Sequence, residues 1–269
     1  MFVFRRDAAG IIGRSGWKAA VLVWIARRLA KSGLLFPVSD SSAALKMWER
    51  TLGISGQLVA IPVRPRPAES AAKKPEDPIT FGLIGQFRPE KGTPHYGGIV
   101  GAALSTSPDA KIILQLPDNA PDATPPEAEI LRASLAGQGR ARLVAGYLPD
   151  NEYTRLLAEI DVLVLPYDVR SYGLGTSGVM FEILSMNGVV LTTRFEWAVS
   201  EFADHPNVFW METLEDVEIK RGLRAAAEKV RELRARDSGD SRPGTIAFQA
   251  SWLEAIQRAA DRKNTRALT

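Results

Sequence analysis

Short apolar segments alternate with helical patterns between residues 79 and 236, and this alternation constrains the fold more than any other feature. Each apolar segment is rich in Val, Ile and Leu and is bounded by Gly, Pro or polar residues, which is typical of buried strands. The predicted strands lie near 79–85, 111–116, 141–145, 161–165, 188–193 and 207–210. Helical periodicity fills the intervals at 95–106, 126–137, 151–159, 177–187 and 195–203. This order predicts an α/β protein with a doubly wound parallel sheet, covered by helices on both faces.

The composition agrees with a soluble globular protein. Hydrophobic residues make up 45% of the 269 residues and charged residues 24%, which are ordinary values. The chain has no cysteine, so disulfides and cysteine-ligated metals are excluded, and a reducing compartment such as the cytoplasm is expected. The net charge of +3 is uneven, because residues 1–50 hold nine Lys or Arg against Asp7, Asp40 and Glu49. The basic character therefore belongs to one end of the chain, and no nucleic-acid partner is predicted.

The basic end contains a helical segment, residues 14–31, with five cations and no acid. Trp17, Val21 and Trp24 recur in it at helical spacing, a pattern typical of a helix that lies in a membrane interface. Its uninterrupted apolar part, residues 19–26, is far shorter than the roughly 20 residues that span a bilayer. The alternative is an ordinary helix that packs its tryptophans on an adjoining domain. The sequence leaves both interpretations open.

The chain divides into three predicted parts: an N-terminal segment at 1–66, a proline-rich linker at 67–78 and a main domain at 79–269. The linker composition is typical of a stiff spacer. Near the C-terminus the pattern predicts a charged helix at 214–236 and a second helix at 248–263, separated by a loop.

The first candidate site lies in Gly173–Gly188, GLGTSGVMFEILSMNG, where a loop of small residues opens a helix after a strand. Thr176, Ser177 and Gly178 stand at the helix start, where unpaired backbone N–H groups and the helix dipole attract phosphate. Glu182 follows about one turn later, where a carboxylate can accept both hydroxyls of a ribose. The pattern predicts a diphosphate site with a ribose beside it. For Glu182 the alternative is a salt bridge on the helix surface.

The second candidate is the loop after the first strand of the main domain, which reads GQFRPEKG. Arg88 and Lys91 lie where a strand leads into a helix, and in an open parallel sheet that position faces the ligand crevice. Arg offers phosphate a bidentate fork and Lys a mobile charge. Gly85 and Gln86 open the loop and are assigned to the same anion site. The alternative for this basic pair is a solvated turn.

A tyrosine, the two histidines and two glycines of the main domain also bear on function. Tyr147, at the mouth of the third strand of the main domain, is a candidate to stack on a nucleobase or equally to serve in packing. His95 and His205 share no metal-ligand spacing, so no metal is expected. Gly82 and Gly85 lack the further glycine of a dinucleotide fingerprint, which argues against a dehydrogenase.

The segments Gly85–Gly92 and Thr176–Glu182 together resemble the nucleotide-sugar domain of the retaining GT-B glycosyltransferases of family 4. The resemblance implies a Rossmann-like C-terminal domain that binds a UDP- or GDP-sugar, behind a truncated acceptor-side domain. The N-terminal part resembles only the last β-α-β piece of that acceptor half. The implied reaction is hexosyl transfer with retention to a polysaccharide or lipid-linked acceptor in polysaccharide biosynthesis, without cofactor or metal.

The resemblance also implies individual roles. Arg88 and Lys91 would neutralise the donor diphosphate, Ser177 and Gly178 would hydrogen-bond it, and Glu182 would hold the ribose. The sequence departs from the family at Gln86, where Arg is usual, and at Leu174, where the family often has an acid that contacts the transferred sugar. No acid/base catalyst is identified.

Two alternatives to an active transferase remain open. One is a donor-binding subunit or inactive pseudo-glycosyltransferase that needs a partner chain with the acceptor domain. The other is a peripheral membrane module that binds the inner membrane surface through residues 14–31.

Overall fold

The computed structural model describes residues 2–3, 8–59, 73–116, 126–173 and 175–236. Within them the main domain forms a six-stranded sheet in which every pairing is parallel. Its strands are β4 Thr80–Leu83, β5 Lys111–Leu116, β6 Ala141–Ala145, β7 Val162–Leu165, β8 Val189–Thr193 and β9 Val208–Met211. They lie in the order β6-β5-β4-β7-β8-β9. The chain adds β5 and β6 on one side of β4 and then β7, β8 and β9 on the other side, so the strand order reverses at the boundary between β4 and β7. The predicted doubly wound, Rossmann-like fold class is confirmed.

In the described part of this domain the chain forms seven α-helices: α3 Tyr96–Leu104, α4 Pro126–Leu135, α5 Asp150–Glu159, α6 Val169–Tyr172, α7 Gly178–Ser185, α8 Glu196–Phe202 and α9 Asp216–Arg236. Side chains of α3, α4 and α9 pack on one face of the sheet, and those of α5, α7 and α8 on the other. Along β5, Ile112 and Leu114 belong to the first core, whereas Ile113 belongs to the second. Because both faces are covered, the central strands are mostly apolar, whereas the edge strand β6 exposes Arg142.

A smaller parallel sheet precedes this domain and consists of β1 Phe2–Val3, β2 Pro37–Ser39 and β3 Gln57–Leu58. Helices α1 Ala8–Lys31 and α2 Ser42–Leu52 accompany it. The Ser41 hydroxyl caps the start of α2 by accepting a 3.2 Å hydrogen bond from Ala44 N. Ala30 and Leu35 pack on Trp48 and Leu52 of α2. The strand Phe2–Val3 was not predicted from the sequence.

The two sheets are connected through α8. Glu201 Oε1 accepts hydrogen bonds from Ser42 N at 2.8 Å and from Ser42 Oγ at 2.7 Å. The predicted domain boundaries stay predictions, and residues 67–72 of the predicted linker lie outside the described residues, as do the loop after 236 and the helix at 248–263. None of the described helices is both long and apolar enough to cross a membrane.

Asp161 organises the edge of the large sheet where the strands begin. Its carboxylate accepts the Thr80 backbone N–H at 2.8 Å and pairs with Lys73 at 3.0 Å. It also pairs with Arg234 of α9 at 2.8 Å, and the side chains of both partners are about nine-tenths buried. Arg234 in turn donates to Asp77 O at 2.7 Å. One buried carboxylate therefore connects the segment before β4, the start of β7 and the last helix of the described chain.

Candidate functional site

A cavity of about 550 Å³ opens at the other edge of the large sheet, where the strands end. It lies beside the point at which the strand order reverses, which is where open α/β sheets bind their ligands. Its wall comes from the loops after β4, β6 and β7 and from the end of β5. The residues that line the cavity include Gly85, Gln86, Lys91, Gln115, Tyr147, Tyr153, Thr176, Ser177 and Gly178. The structure thus brings all of the predicted site residues to this cavity except Arg88 and Glu182.

The loop after β4 is held in one shape by two glycines with positive φ. Gly85 has φ +126°, and Gly92 has φ +79° after a 3₁₀ turn at Pro89–Lys91. A Cβ on Gly92 would stand 1.8 Å from Pro166 O, so only glycine fits between this loop and the end of β7. Glu90 O also accepts a 3.0 Å hydrogen bond from Asp168 N. The loop is therefore fixed against the segment that follows β7.

Lys91 is the cation that this loop presents to the cavity. Its Nζ lies 5.5 Å from the centroid of the Tyr167 ring, and no ion pair of Lys91 is found within the described residues. Burial, and to a lesser extent the neighbouring Arg88 cation, lower the pKa of Lys91 to about 8. A bound anion would favour the charged ammonium. Within the described residues, the cavity therefore contains a cation without an ion-pair partner, and the nearby Glu90 carboxylate only partly offsets the lowering of its pKa.

Arg88 lies in a different environment from Lys91. Its Nη1 pairs with Glu90 at 3.2 Å, and the side chain is 43% exposed. It is not among the residues that line the cavity. The sequence assigns both cations to one anion site, whereas the structure places only Lys91 in the cavity wall, because the 3₁₀ turn separates the two side chains.

The start of α7 forms the wall that contains the small residues. Ser177 occupies the N-cap position, but its hydroxyl lies 3.2 Å from the Tyr167 hydroxyl and does not cap the helix. Thr176 O accepts a 3.0 Å hydrogen bond from the Tyr172 hydroxyl. Met180 N donates to Ser177 O at 3.2 Å, whereas the N–H groups of Gly178 and Val179 precede the first intrahelical hydrogen bond. The helix start therefore has the polarity to bind an anion in this cavity.

Glu182 lies one side chain behind the cavity wall. The residue is only 5% exposed, and its Oε2 accepts a 3.1 Å hydrogen bond from the Tyr153 hydroxyl. Tyr153 itself lines the cavity. A carboxylate at this depth needs hydrogen-bond partners, and Tyr153 is one of them. The sequence did not identify Tyr153, although a tyrosine among the leucines of α5 is a weak signal.

Gln115 is a second residue that sequence reasoning missed. Its side-chain oxygen accepts from Gly85 N at 2.9 Å, and its nitrogen donates to Gly146 O at 2.7 Å. It therefore joins the loops that follow β4 and β6. Near it, Gln86 Nε2 donates to the Tyr147 hydroxyl at 2.7 Å. The available signal was a polar amide inside the apolar strand KIILQL.

The aromatic residues behind Lys91 form a continuous layer. Tyr167 lies 4.2 Å from Tyr172 and 5.4 Å from Phe195, measured between ring centroids. Phe195 stacks on Trp197 at 5.8 Å. This packing fixes the floor on which Lys91 and Ser177 rest. In the described part of the chain, no group of three His, Asp or Glu side chains is arranged to hold a metal ion.

The main domain has the Rossmann-like fold of one half of a GT-B protein. Solved structures with a similar fold include proteins described as glycosyltransferases. HepE from Anabaena, in complex with UDP-glucose, is 14% identical with a TM-score of 0.61, over 98% of this chain and 70% of its own. A glycosyltransferase from Rickettsia africae is 12% identical with a TM-score of 0.57, over 90% and 67% of the two chains. WaaG, which is involved in lipopolysaccharide biosynthesis, is 15% identical with a TM-score of 0.54, over 81% and 62%.

No protein-family model matches the chain, and no curated protein matches it in sequence. At these identities the likeness establishes the fold alone.

Proposed function

We propose that this chain is a glycosyltransferase that binds a UDP- or GDP-sugar in the cavity between the β4 loop and the start of α7. One observation supports this most directly: Lys91 and the residues Thr176–Gly178 line the same cavity at the point where the strand order reverses. A cation and a helix start on one cavity are suited to a diphosphate. The shared fold with HepE, which was crystallised with UDP-glucose, supports the same assignment.

The chemistry that we propose is hexosyl transfer with retention to a polysaccharide or lipid-linked acceptor, as in family 4. When the glycosidic bond to the diphosphate breaks, negative charge grows on the leaving phosphate. Lys91 and the first N–H groups of α7 would stabilise that charge without reorganisation. These protein groups supply the positive charge, so the proposed step uses no metal.

The nucleoside part is assigned to the two remaining walls of the cavity. Glu182 and Tyr153 form one hydrogen-bonded unit that is suited to the ribose hydroxyls, with Tyr153 as the member at the surface. Gln86 and Tyr147 form another, to which we assign the nucleobase. The side chain of Arg88 is paired with Glu90 in this structure. For Arg88 to bind the diphosphate as well, the loop would have to rearrange when the nucleotide binds.

A second candidate is a donor-binding subunit that needs a partner chain. The observation that favours it is the size of the first sheet, which has three short strands in the described residues, against six in the main domain. This candidate predicts nucleotide binding without transfer until the partner is added.

Calorimetric titration with UDP and GDP tests the proposal. We expect one of the two to bind in the micromolar range, which corresponds to about −8 kcal/mol. Lys91→Ala is expected to weaken that binding by about 1–3 kcal/mol, because it removes a charge-assisted hydrogen bond to the diphosphate. Glu182→Ala is expected to weaken it by a similar amount, about 1–3 kcal/mol, because the Tyr153 hydroxyl loses the carboxylate that orients it toward the ribose. Lys111→Ala and Glu228→Ala, at exposed positions that do not line the cavity, serve as matched controls. Unchanged affinity in both site variants would contradict the assignment.

The pH dependence of nucleotide affinity tests Lys91 separately. Lys91 has a pKa of about 8 in the free protein, and a bound diphosphate raises it. Affinity for UDP should therefore be highest below pH 8 and fall above it, by up to about tenfold per pH unit. In the free protein, Lys91 makes the free energy of unfolding rise with pH above about 8. The reason is that the unfolded chain, in which this lysine has its ordinary pKa, then binds more protons than the folded protein.

Lys91→Gln is the control for this experiment. The titrations of the nucleotide itself are common to both proteins and cancel in the comparison. A wild-type slope that persists in Lys91→Gln would assign the pH dependence to another group.

A further inference from the structure

Helix α1 carries an exposed apolar face that no described residue covers. Trp17 is 73% exposed, Leu22 60% and Trp24 57%. Val21, Ile25 and Leu29 on the same helix are also exposed. Single exposed apolar residues are ordinary, but a contiguous group of this size marks an interaction surface.

The exposed face lies opposite the side by which α1 is attached. Ala26 and Ala30 of α1 pack on Trp48 and Leu52, which anchors the helix to α2. Trp17, Val21, Trp24 and Arg28 are spaced by four, three and four residues, so they form one line along the helix away from that contact. We name this line, with its neighbour Ile25, the tryptophan face.

Two cationic side chains lie over the tryptophan rings of this face. The Arg28 guanidinium lies 5.0 Å from the centroid of the Trp24 ring, and Lys18 Nζ lies 5.9 Å from that of Trp17. Between residues 17 and 59 the chain has six Lys or Arg, and the acids are Asp40, which is buried, and Glu49, which binds Gly56 N at 2.7 Å. The surface around the face is therefore strongly positive.

We infer that the tryptophan face is a docking surface for a lipid bilayer with anionic headgroups. A bilayer surface accepts both components at once: tryptophan rings and aliphatic side chains enter the boundary of the acyl region, while Arg and Lys reach the phosphates. Since no described helix can span a membrane, α1 would lie in the plane of the interface.

A protein partner suits this face less well. Arg28 ends the line directly beside Trp24, so a protein that covered the line would have to bury the cation and supply a buried counter-charge. A second copy of this chain would bring the same cations against one another across a two-fold interface. Among the described residues nearby, Asp40 is buried and Glu49 accepts a hydrogen bond from Gly56 N. The mixture of aromatic residues and cations therefore favours the anionic bilayer. This inference does not depend on the proposed transferase activity.

The test is cosedimentation with vesicles of phosphatidylcholine, with and without phosphatidylglycerol. We expect the full chain to sediment with the phosphatidylglycerol vesicles and not with pure phosphatidylcholine. Trp24→Asp and Arg28→Glu should each reduce the partition coefficient at least about tenfold. Raising the salt to about 1 M, where the screening length is about 3 Å, should weaken binding as well.

Val217→Asp is the matched control, because Val217 is an exposed aliphatic residue on α9, outside the tryptophan face. It should bind vesicles as the wild type does. Far-UV circular dichroism and thermal unfolding of Trp24→Asp should match the wild type, since the Trp24 side chain packs on nothing in the core.

Two outcomes would overturn the inference. One is a folded wild-type chain that does not bind phosphatidylglycerol vesicles, or binds them equally well after both substitutions. The other is a dimer in sedimentation equilibrium that dissociates on Trp24→Asp, which would assign the face to a second copy. Neither result bears on UDP binding, so a failure here and a failure of the proposed function remain distinguishable.

Discussion

Replacing Asp161 by alanine is expected to lower the free energy of unfolding by about 3–5 kcal/mol, because it leaves the buried Arg234 without its counter-charge. The same substitution removes the acceptor of the Thr80 N–H and the partner of Lys73. Chemical denaturation followed by circular dichroism measures the change. The loss should be felt across the whole domain, since the carboxylate connects β4, β7 and α9.

Asp216→Ala is the control for this prediction. Asp216 pairs with Lys220 at 2.6 Å on the exposed side of α9, and removing it should cost less than about 1 kcal/mol. If the two alanine variants lose similar stability, the Asp161 network contributes no more than a surface pair.

Gly92→Ala is expected to abolish nucleotide binding and to destabilise the domain by about 2–5 kcal/mol, the sum of left-handed backbone strain and overpacking. The added Cβ would meet Pro166 O at 1.8 Å, so the β4 loop must move away from the end of β7. Lys91 is the preceding residue and moves with it. Calorimetry with UDP and denaturant titration measure the two effects on the same protein.

Gly137→Ala separates the two causes of that loss. Gly137 has the same φ of +79°, yet nothing lies within 4 Å of the Cβ it would gain. This control should lose only the backbone strain of about 1–2 kcal/mol and keep full nucleotide affinity. Equal losses in the two variants would show that the contact with Pro166 contributes nothing.

The strands of the main domain were predictable because their pattern is local. In a parallel sheet covered on both faces, each strand is an apolar run between breakers. The run that ends at Pro166 therefore identified β7, and KIILQL identified β5 to the residue. The short helix α6, with four residues, gave too little periodicity to predict.

Contacts between distant residues were not predictable in the same way. Nothing near Asp161 in the sequence indicates that it pairs with Arg234, because that pair exists only after α9 has packed on the sheet. Gln115 likewise acquires its role from Gly85 and Gly146, which come from different loops.

Some features of the candidate site were predictable from local sequence patterns, and others depend on contacts that form only in the folded protein. The sequence could place Lys91 and Ser177 at the same edge of the sheet, because the carboxyl ends of parallel strands meet there. It could not separate Lys91 from Arg88, since the direction of each side chain depends on the 3₁₀ turn between them. Nor could it show that Tyr153 stands between Glu182 and the cavity.

The strand order also determines when, during synthesis, the protein can first bind a ligand. Strands β4 and β7 are neighbours, yet Thr80 and Asp161, which join their starts, are 81 residues apart in the chain. Strands β5 and β6 leave the ribosome between them and can pair with β4 first, whereas the cavity forms only after β7 has joined the sheet. Nucleotide in the cell therefore cannot assist the folding of the first half of the sheet, which must hold together through its own apolar contacts.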